Sequence, residues 1–277
     1  SIEKGIGNTL GFLVMILGLG AMLGKLVAES GAAQKITNGL IHIFGVKNTK
    51  IAVMLTGFIV GVTMFYSVGF VILVPLVFTV ATATGLSLIS IALPMLAALS
   101  VTHGFLPPHP APSALSVMFE ADMGKTLIYG MIIAIPAILI SGPVLTRFIP
   151  KVEAKPLKEF MTTRVFNEEE LPSFSNSLIT ALLPVILIAF STLSLNFFNI
   201  EGVWFSVIKF IGNPVIALLL TVLVATYTLG IARGLKMDEV MKIFGKAVSG
   251  ITMVLLIIAG AGSLKQILID SGVSEYI

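Results

Sequence analysis

Polar and apolar positions divide this chain into long apolar runs joined by short charged segments. Runs able to cross a bilayer fall at 8–29, 86–119, 125–149, 177–199, 205–230 and 247–269, against a requirement of about 20 apolar residues per helical crossing. In hydrocarbon each backbone N–H and C=O must be satisfied within its own segment, so each run predicts helix. Run 51–84 differs. As one helix its 34 residues would reach about 50 Å, well past a core of about 30 Å. Tyr66-Ser67-Val68-Gly69 sits near its centre. The length predicts a re-entrant hairpin of two arms, turning within 65–69, with a single long tilted helix as the alternative. Gly57 and Gly61 would let the two arms approach closely, as small residues four apart do.

Run 86–119 is broken from within. His103-Gly-Phe-Leu-Pro107-Pro108-His109-Pro110-Ala-Pro112 places four prolines in six positions. Each proline lacks an N–H and disfavours helix at the residue before it. Between Lys50 and Glu120 there is no Asp, Glu, Lys or Arg, so this break falls inside an uncharged, apolar stretch. Irregular backbone at membrane depth is tolerated only against protein or a water-filled cavity, and the pattern therefore reads as a solute pathway. Segments 32–48 and 236–246 are short, mixed and partly charged, and read as amphipathic helices at the membrane surface. Residues 150–176 are the one long polar stretch. They read as a solvated linker dividing most of a first unit, 1–149, from the start of a second, 177–277.

Composition agrees. The chain is 56% hydrophobic and 11% charged, against about 25% charged in soluble domains. The expected class is an all-α polytopic membrane protein. A net charge of +3 is too small to suggest a nucleic-acid partner, and with no cysteine there is neither disulfide nor thiolate metal site. The chain opens Ser-Ile-Glu-Lys with no initiator Met and no signal-peptide pattern, and residues are expected to be missing at both ends.

An internal repeat supports that expectation. Residues 20–36 align without gaps on 261–277, with Glu29-Ser30-Gly31 opposite Asp270-Ser271-Gly272; chance similarity of apolar segments is the alternative. The crossings that follow 8–29, through 247–269, are odd in number, so the two copies would lie antiparallel, as in inverted-repeat transporters. Charge gives an independent check. Lys25, Lys35, Lys47, Lys50, Arg147, Lys151, Lys155, Lys158, Arg164, Arg233, Lys236, Lys242 and Lys246 collect on one side, and only Lys4, Lys125, Lys209 and Lys265 on the other. The richer side is expected to be cytoplasmic, with linker 150–176 on it.

Candidate chemistry concentrates at the two breaks. If 51–84 is a hairpin, its second arm starts near Ser67 and Gly69, and the short arm after Pro112 starts at Ser113. Two helix N-termini aimed at the midplane make an anion site without a basic side chain. Tyr66, Ser67, Gly69, Thr102, His103, Gly104, His109 and Ser113 are the substrate-binding candidates, and the hydroxyls of Ser67, Thr102, Ser113 and Ser116 suit a polyol. His103 and His109 alone in 51–119 titrate near neutral pH, and either is a proton-coupling candidate; the competing role is a neutral His that satisfies carbonyls freed by the prolines. No metal site or cofactor is expected, because no Cys or carboxylate lies near His103 and His109. Glu29 and Asp270 are assigned to helix-end capping or packing, and His42 to the interface.

The ten residues 103–112 resemble the His-Gly-x-x-Pro-Pro-His-Pro-Gly-Pro signature of the gluconate permease family, in the ion transporter superfamily, with Ala111 in place of Gly. Phe65-Tyr66-Ser67-Val68-Gly69-Phe70 is similar to the family's Phe-Phe-(Glu/Asp)-Val-Gly-Phe, and Ile211-Gly-Asn213-Pro214 also matches. The resemblance covers essentially the whole chain as the middle of a longer one. It implies an inverted-repeat, elevator-type symporter in the bacterial inner membrane. Its cargo would be gluconate or a related sugar acid with a proton or other cation, homo-oligomerisation being left open. Ser67 stands where the family carries an acid, which shifts coupling toward His103 or His109 and leaves D-serine or another small carboxylate as alternative substrates. A membrane-embedded enzyme using the two histidines is the reading from a different class. A channel is disfavoured by the lack of a charged ring or carbonyl filter.

Overall fold

The computed structural model describes residues 2–64, 66–84, 86–149 and 166–273. All regular structure among them is helical. The helices are α1 (Ile2–Glu29), α2 (Ala32–Phe44), α3 (Thr49–Thr63), α4 (Tyr66–Thr84), α5 (Leu88–Phe105), α6 (Pro110–Met118), α7 (Met123–Leu139), α8 (Phe174–Phe197), α9 (Gly202–Ile211), α10 (Pro214–Ala225), α11 (Met237–Gly250) and α12 (Thr252–Asp270). Helices α7 and α10 each run on through a π turn and a short 3-10 turn, to Arg147 and Arg233. Five spans are long and apolar enough to cross a membrane: Leu88–Met118, Met123–Arg147, Phe174–Phe197, Pro214–Arg233 and Thr252–Asp270. Helix α1 is bent by 45° between Ile2–Gly11 and Leu13–Glu29, and the two parts make a sixth if counted as one span. The chain is a multi-pass membrane protein.

Two expected elements change. Run 205–230 is not one helix: it divides at Gly212-Asn213. The Asn213 side chain accepts hydrogen bonds from the N–H groups of Val215 and Ile216, and Pro214 takes the first helical position, so α10 starts afresh there. The break in 51–84 falls earlier than the expected window of 65–69. Met64 is already extended, at φ −119° and ψ 148°, and Tyr66–Phe70 are helical. The chain therefore leaves helix at Met64, at the upstream edge of that window; residue 65 and the Ser67 side chain lie outside the described residues.

The glycines also face a different neighbour from the one expected. A Cβ on Gly57 would run into the Met95 carbonyl, and one on Gly61 into Thr102 Oγ1. Both glycines thus press α3 onto α5, not onto α4. Helix α1 runs through the core: Ile16, Leu23, Leu26 and Val27 pack with Val60 of α3, Met64 just beyond it, Leu73 of α4, Met95 of α5 and Leu218 of α10. Gly24 brings α1 against the end of α3, since a Cβ there would lie 2.7 Å from the Thr63 carbonyl oxygen.

Helices α1 and α12 pack side by side. Gly5 and Thr9 meet Gly262, while Leu13, Leu17 and Ala21 cluster with Ile251 and Leu255. The contact order reverses along the two helices, so they run antiparallel. Each ends at an acidic residue followed by Ser-Gly, with Gly31 at φ 77° and Gly272 at φ 74°, the left-handed turn that glycine adopts without Cβ strain. Residues 274–277, the end of the aligned segment, lie outside the described residues.

Of the linker 150–176, residues 150–165, with Lys151, Glu153, Lys155, Lys158, Glu159 and Arg164, are likewise outside. The remainder forms a strap across α2. The Gln34 amide exchanges two hydrogen bonds with the Phe166 backbone, at 2.8 and 3.0 Å. Glu168 accepts from Lys35 Nζ at 2.8 Å and Asn38 Nδ2 at 2.9 Å. Arg233 Nη2 donates to the carbonyls of Glu170 and Leu171. Leu171 and Phe166 fill the space above Gly31, and Phe174 that above Gly39. The strap ties α2 to the end of the α10 span. The hydrogen bonds from Lys35 and Asn38 hold the Glu168 carboxyl below the usual range. A carboxylate with a lowered folded pKa contributes above its unfolded pKa and loses that contribution as pH falls through the folded value. Hydrogen exchange of peptides covering 166–171, corrected for intrinsic rate, is accordingly expected to rise as pH drops below the ordinary glutamate range, and more in Q34A. Equal protection across that range would refute the ionic part of the strap.

Candidate functional site

The two helix breaks meet. Helix α3 stops with the Val60 carbonyl accepting from both Met64 N–H and Thr63 Oγ1. Helix α5 stops at Phe105; Leu106 is extended and its N–H reaches the Thr102 carbonyl. The Pro107–Pro108 bond is cis. His109 is extended at the N-cap position, and α6 begins at Pro110. His109 Nε2 hydrogen-bonds the Gly61 carbonyl of α3. The His103 and His109 rings lie side by side with centroids 4.6 Å apart. A small cavity sits at this junction, walled by Val62, Thr63 and Met64, by Pro108 and His109, by Ile16, Gly20 and Leu23 of α1, and by Pro184 and Leu218.

The sequence-derived candidates divide by what their polar groups already do. Thr102 is fully buried and its hydroxyl donates to the Ala98 and Leu99 carbonyls. Ser116 Oγ donates to the Pro112 carbonyl at 2.7 Å. Neither hydroxyl has a proton left to give. Ser113 is different: its Oγ is fully buried and has no partner among the described residues. His109 is buried and His103 half-buried. Gly69 faces α5, where a Cβ would lie 2.9 Å from Leu99 Cδ1. Tyr66 stacks on Phe70, with ring centroids 6.3 Å apart. Gly104 lines a separate, apolar, open groove with Phe105, Leu115, Phe119, Tyr129 and Ile133, away from the cavity.

The start of α6 at Pro110, three residues before the expected Ser113, changes its electrostatics. Pro110 and Pro112 carry no N–H, and Ser113 N–H is already bonded to the His109 carbonyl. Of the first-turn donors, only Ala111 N–H remains for an anion. The first turn of α4, Tyr66-Ser67-Val68, contains no proline, so each of its residues carries a backbone N–H.

The remaining polar candidates sit elsewhere. Glu29 pairs with Lys25 at 2.8 Å, one turn away, and Asp270 accepts from Gln266 at 2.7 Å; both serve their own helix ends. His42 is exposed on α2. Among the described residues no group of three His, Cys, Asp or Glu could hold a metal ion. Sequence reasoning missed the walls that α1, Pro184 and Leu218 contribute, and the Thr63 hydroxyl. A signal for Thr63 was present, since it lies two residues past Gly61 at the end of the arm.

The family description "GntP family permease" matches residues 1–277. The chain belongs to the GntP permease family. Curated relatives agree over the whole of it. It is 47% identical to the Gnt-II system L-idonate transporter and 48% identical to a high-affinity gluconate transporter, both of Escherichia coli (strain K12), and 44% identical to the gluconate permease of Bacillus subtilis (strain 168). It covers 63%, 63% and 64% of those proteins' lengths. No solved structure matches it.

Proposed function

We propose that this chain carries one substrate half-site of a secondary active transporter that moves gluconate or a related sugar acid, coupled to protons. The observation that carries the reading is the junction of two interrupted apolar helices around one cavity. A proline-free helix N-terminus, at α4, suits the carboxylate. The buried, unpartnered Ser113 hydroxyl suits a substrate hydroxyl, because an unmade buried hydrogen bond is costly until a ligand completes it. His103 supplies an imidazole, a group able to gain and lose a proton.

The same reading takes α3 to α6 as the moving unit of an elevator, with α3 and α4 as a re-entrant hairpin opening on the side rich in Lys and Arg. That side is cytoplasmic in a bacterial inner membrane, and 166–176 lies on it. The antiparallel packing of α1 on α12 and their matching Glu/Asp-Ser-Gly ends support an inverted repeat, with further helices in the rest of the protein completing the second half. D-serine or another small carboxylate is the alternative cargo, which Ser67 in place of an acid would favour. A membrane-embedded enzyme using His103 and His109 is the reading from another class, and nothing at the cavity favours it.

The test is uptake of labelled gluconate by proteoliposomes holding the full-length protein. An inward proton gradient is expected to drive accumulation, and its collapse by an ionophore to stop it. Gradient-driven accumulation of D-serine, with gluconate neither transported nor competing, would overturn the substrate assignment.

A further inference from the structure

Two histidines share the junction, and their geometry separates their roles. A carbonyl oxygen only accepts, so the bond between His109 Nε2 and the Gly61 carbonyl requires the proton to sit on Nε2. Gly61 lies in the last turn of α3, where the final four carbonyls have no intrahelical partner. Val60 is served by Met64 N–H and Thr63 Oγ1; Gly61 is served by a side chain from the other broken element, 48 residues away. His109 is 5% exposed, so no water replaces that bond cheaply. His109 also occupies the N-cap position of α6, where its own carbonyl takes Ser113 N–H. One residue therefore caps the end of α3 with its ring and starts α6 with its backbone. The close approach of Gly61 to Thr102 and Leu99 sets the separation at which the ring reaches.

We propose that His109 is a positioning residue: its Nε2–H braces the open end of α3 to the start of α6, so that the two breaks keep one geometry around the substrate and travel together, while proton exchange is left to His103. This rests on the transport reading for its consequence, but the brace itself is testable without transport. In the full-length protein, H109L removes the donor at similar size, and H109Q restores a donor near the Nε2 position without titrating.

Hydrogen exchange of peptides covering 58–64 is expected to quicken by roughly 10- to 100-fold in H109L, the effect of orphaning one buried carbonyl, and to stay near the parent in H109Q. In proteoliposomes, H109L is expected to lose gradient-driven uptake and counterflow exchange together. H109Q is expected to rescue both, with the parent's pH profile. Unchanged exchange in H109L overturns the brace whether or not the protein carries gluconate. An H109Q protein that exchanges substrate by counterflow but no longer accumulates it down a proton gradient overturns the division of roles and makes His109 the proton carrier. Normal brace readings with no gluconate uptake by the parent fault the substrate assignment alone.

Discussion

Replacing His103 with glutamine is expected to abolish accumulation of substrate against its gradient while leaving part of the equilibrium exchange. No Asp, Glu, Lys or Arg occurs in residues 51–119, so among the side chains there only the two histidines belong to a type whose unperturbed titration lies near neutral pH. His109 spends its Nε2 proton on the Gly61 carbonyl. His103 is half-buried beside it, with ring centroids 4.6 Å apart. Each pH unit of gradient stores about 1.4 kcal/mol per proton, which sustains roughly tenfold accumulation at one proton per substrate. Glutamine keeps hydrogen-bonding capacity but carries no exchangeable charge. Accumulation in H103Q should therefore fall to a ratio near one at any imposed gradient. Counterflow needs binding and alternating access but no net proton movement, so it should persist in part. Labelled uptake with and without an imposed pH step reads both. Parent-level accumulation in H103Q would move the coupling group outside this chain's junction.

Substituting Gly57 with valine is expected to cost about 3 kcal/mol of stability, the upper part of the usual range for overpacking. The first atom a Cβ meets there is a backbone carbonyl, that of Met95, with the Met95 carbonyl carbon and Cα at 3.1 Å behind it. Backbone cannot rotate away as a side-chain tip does, so α3 and α5 must separate. Two controls calibrate the result. At Gly69 the nearest atom is the Leu99 Cδ1 methyl, at 2.9 Å, and G69A should be milder because a leucine can shift. At Gly7 nothing lies within 4 Å, and G7A should gain up to about 1 kcal/mol from helix propensity alone. Thermal unfolding in detergent, followed by fluorescence-detected size exclusion, ranks the three. A G57V midpoint equal to that of G69A would show that α3 and α5 are less closely packed than described.

Much of the fold was legible because its causes are local. Apolar runs near 20 residues predict crossings whatever they pack against, and five of the six such runs hold a span long and apolar enough to cross, the sixth, 8–29, falling on the bent helix α1, while 205–230 gives its first residues to α9. The proline cluster predicts a broken helix because the missing N–H groups belong to those residues themselves, and α5 and α6 part at Leu106–His109. The motif 103–112 and the family it resembles were likewise readable, and the family holds over the whole chain.

Three things were decided only by tertiary contact. Small residues four apart mark a face of α3 that some backbone approaches, but periodicity does not say whose; the neighbour is α5, because Met95 and Thr102 occupy the space that Gly57 and Gly61 leave. The cavity takes walls from α1, Pro184 and Leu218, far apart in sequence, and no local pattern encodes a meeting of that kind. The two histidines look equivalent along the chain, six residues apart in one motif. They separate only where α3 ends beside one of them, since a buried carbonyl needs a donor and only the fold says which donor reaches it.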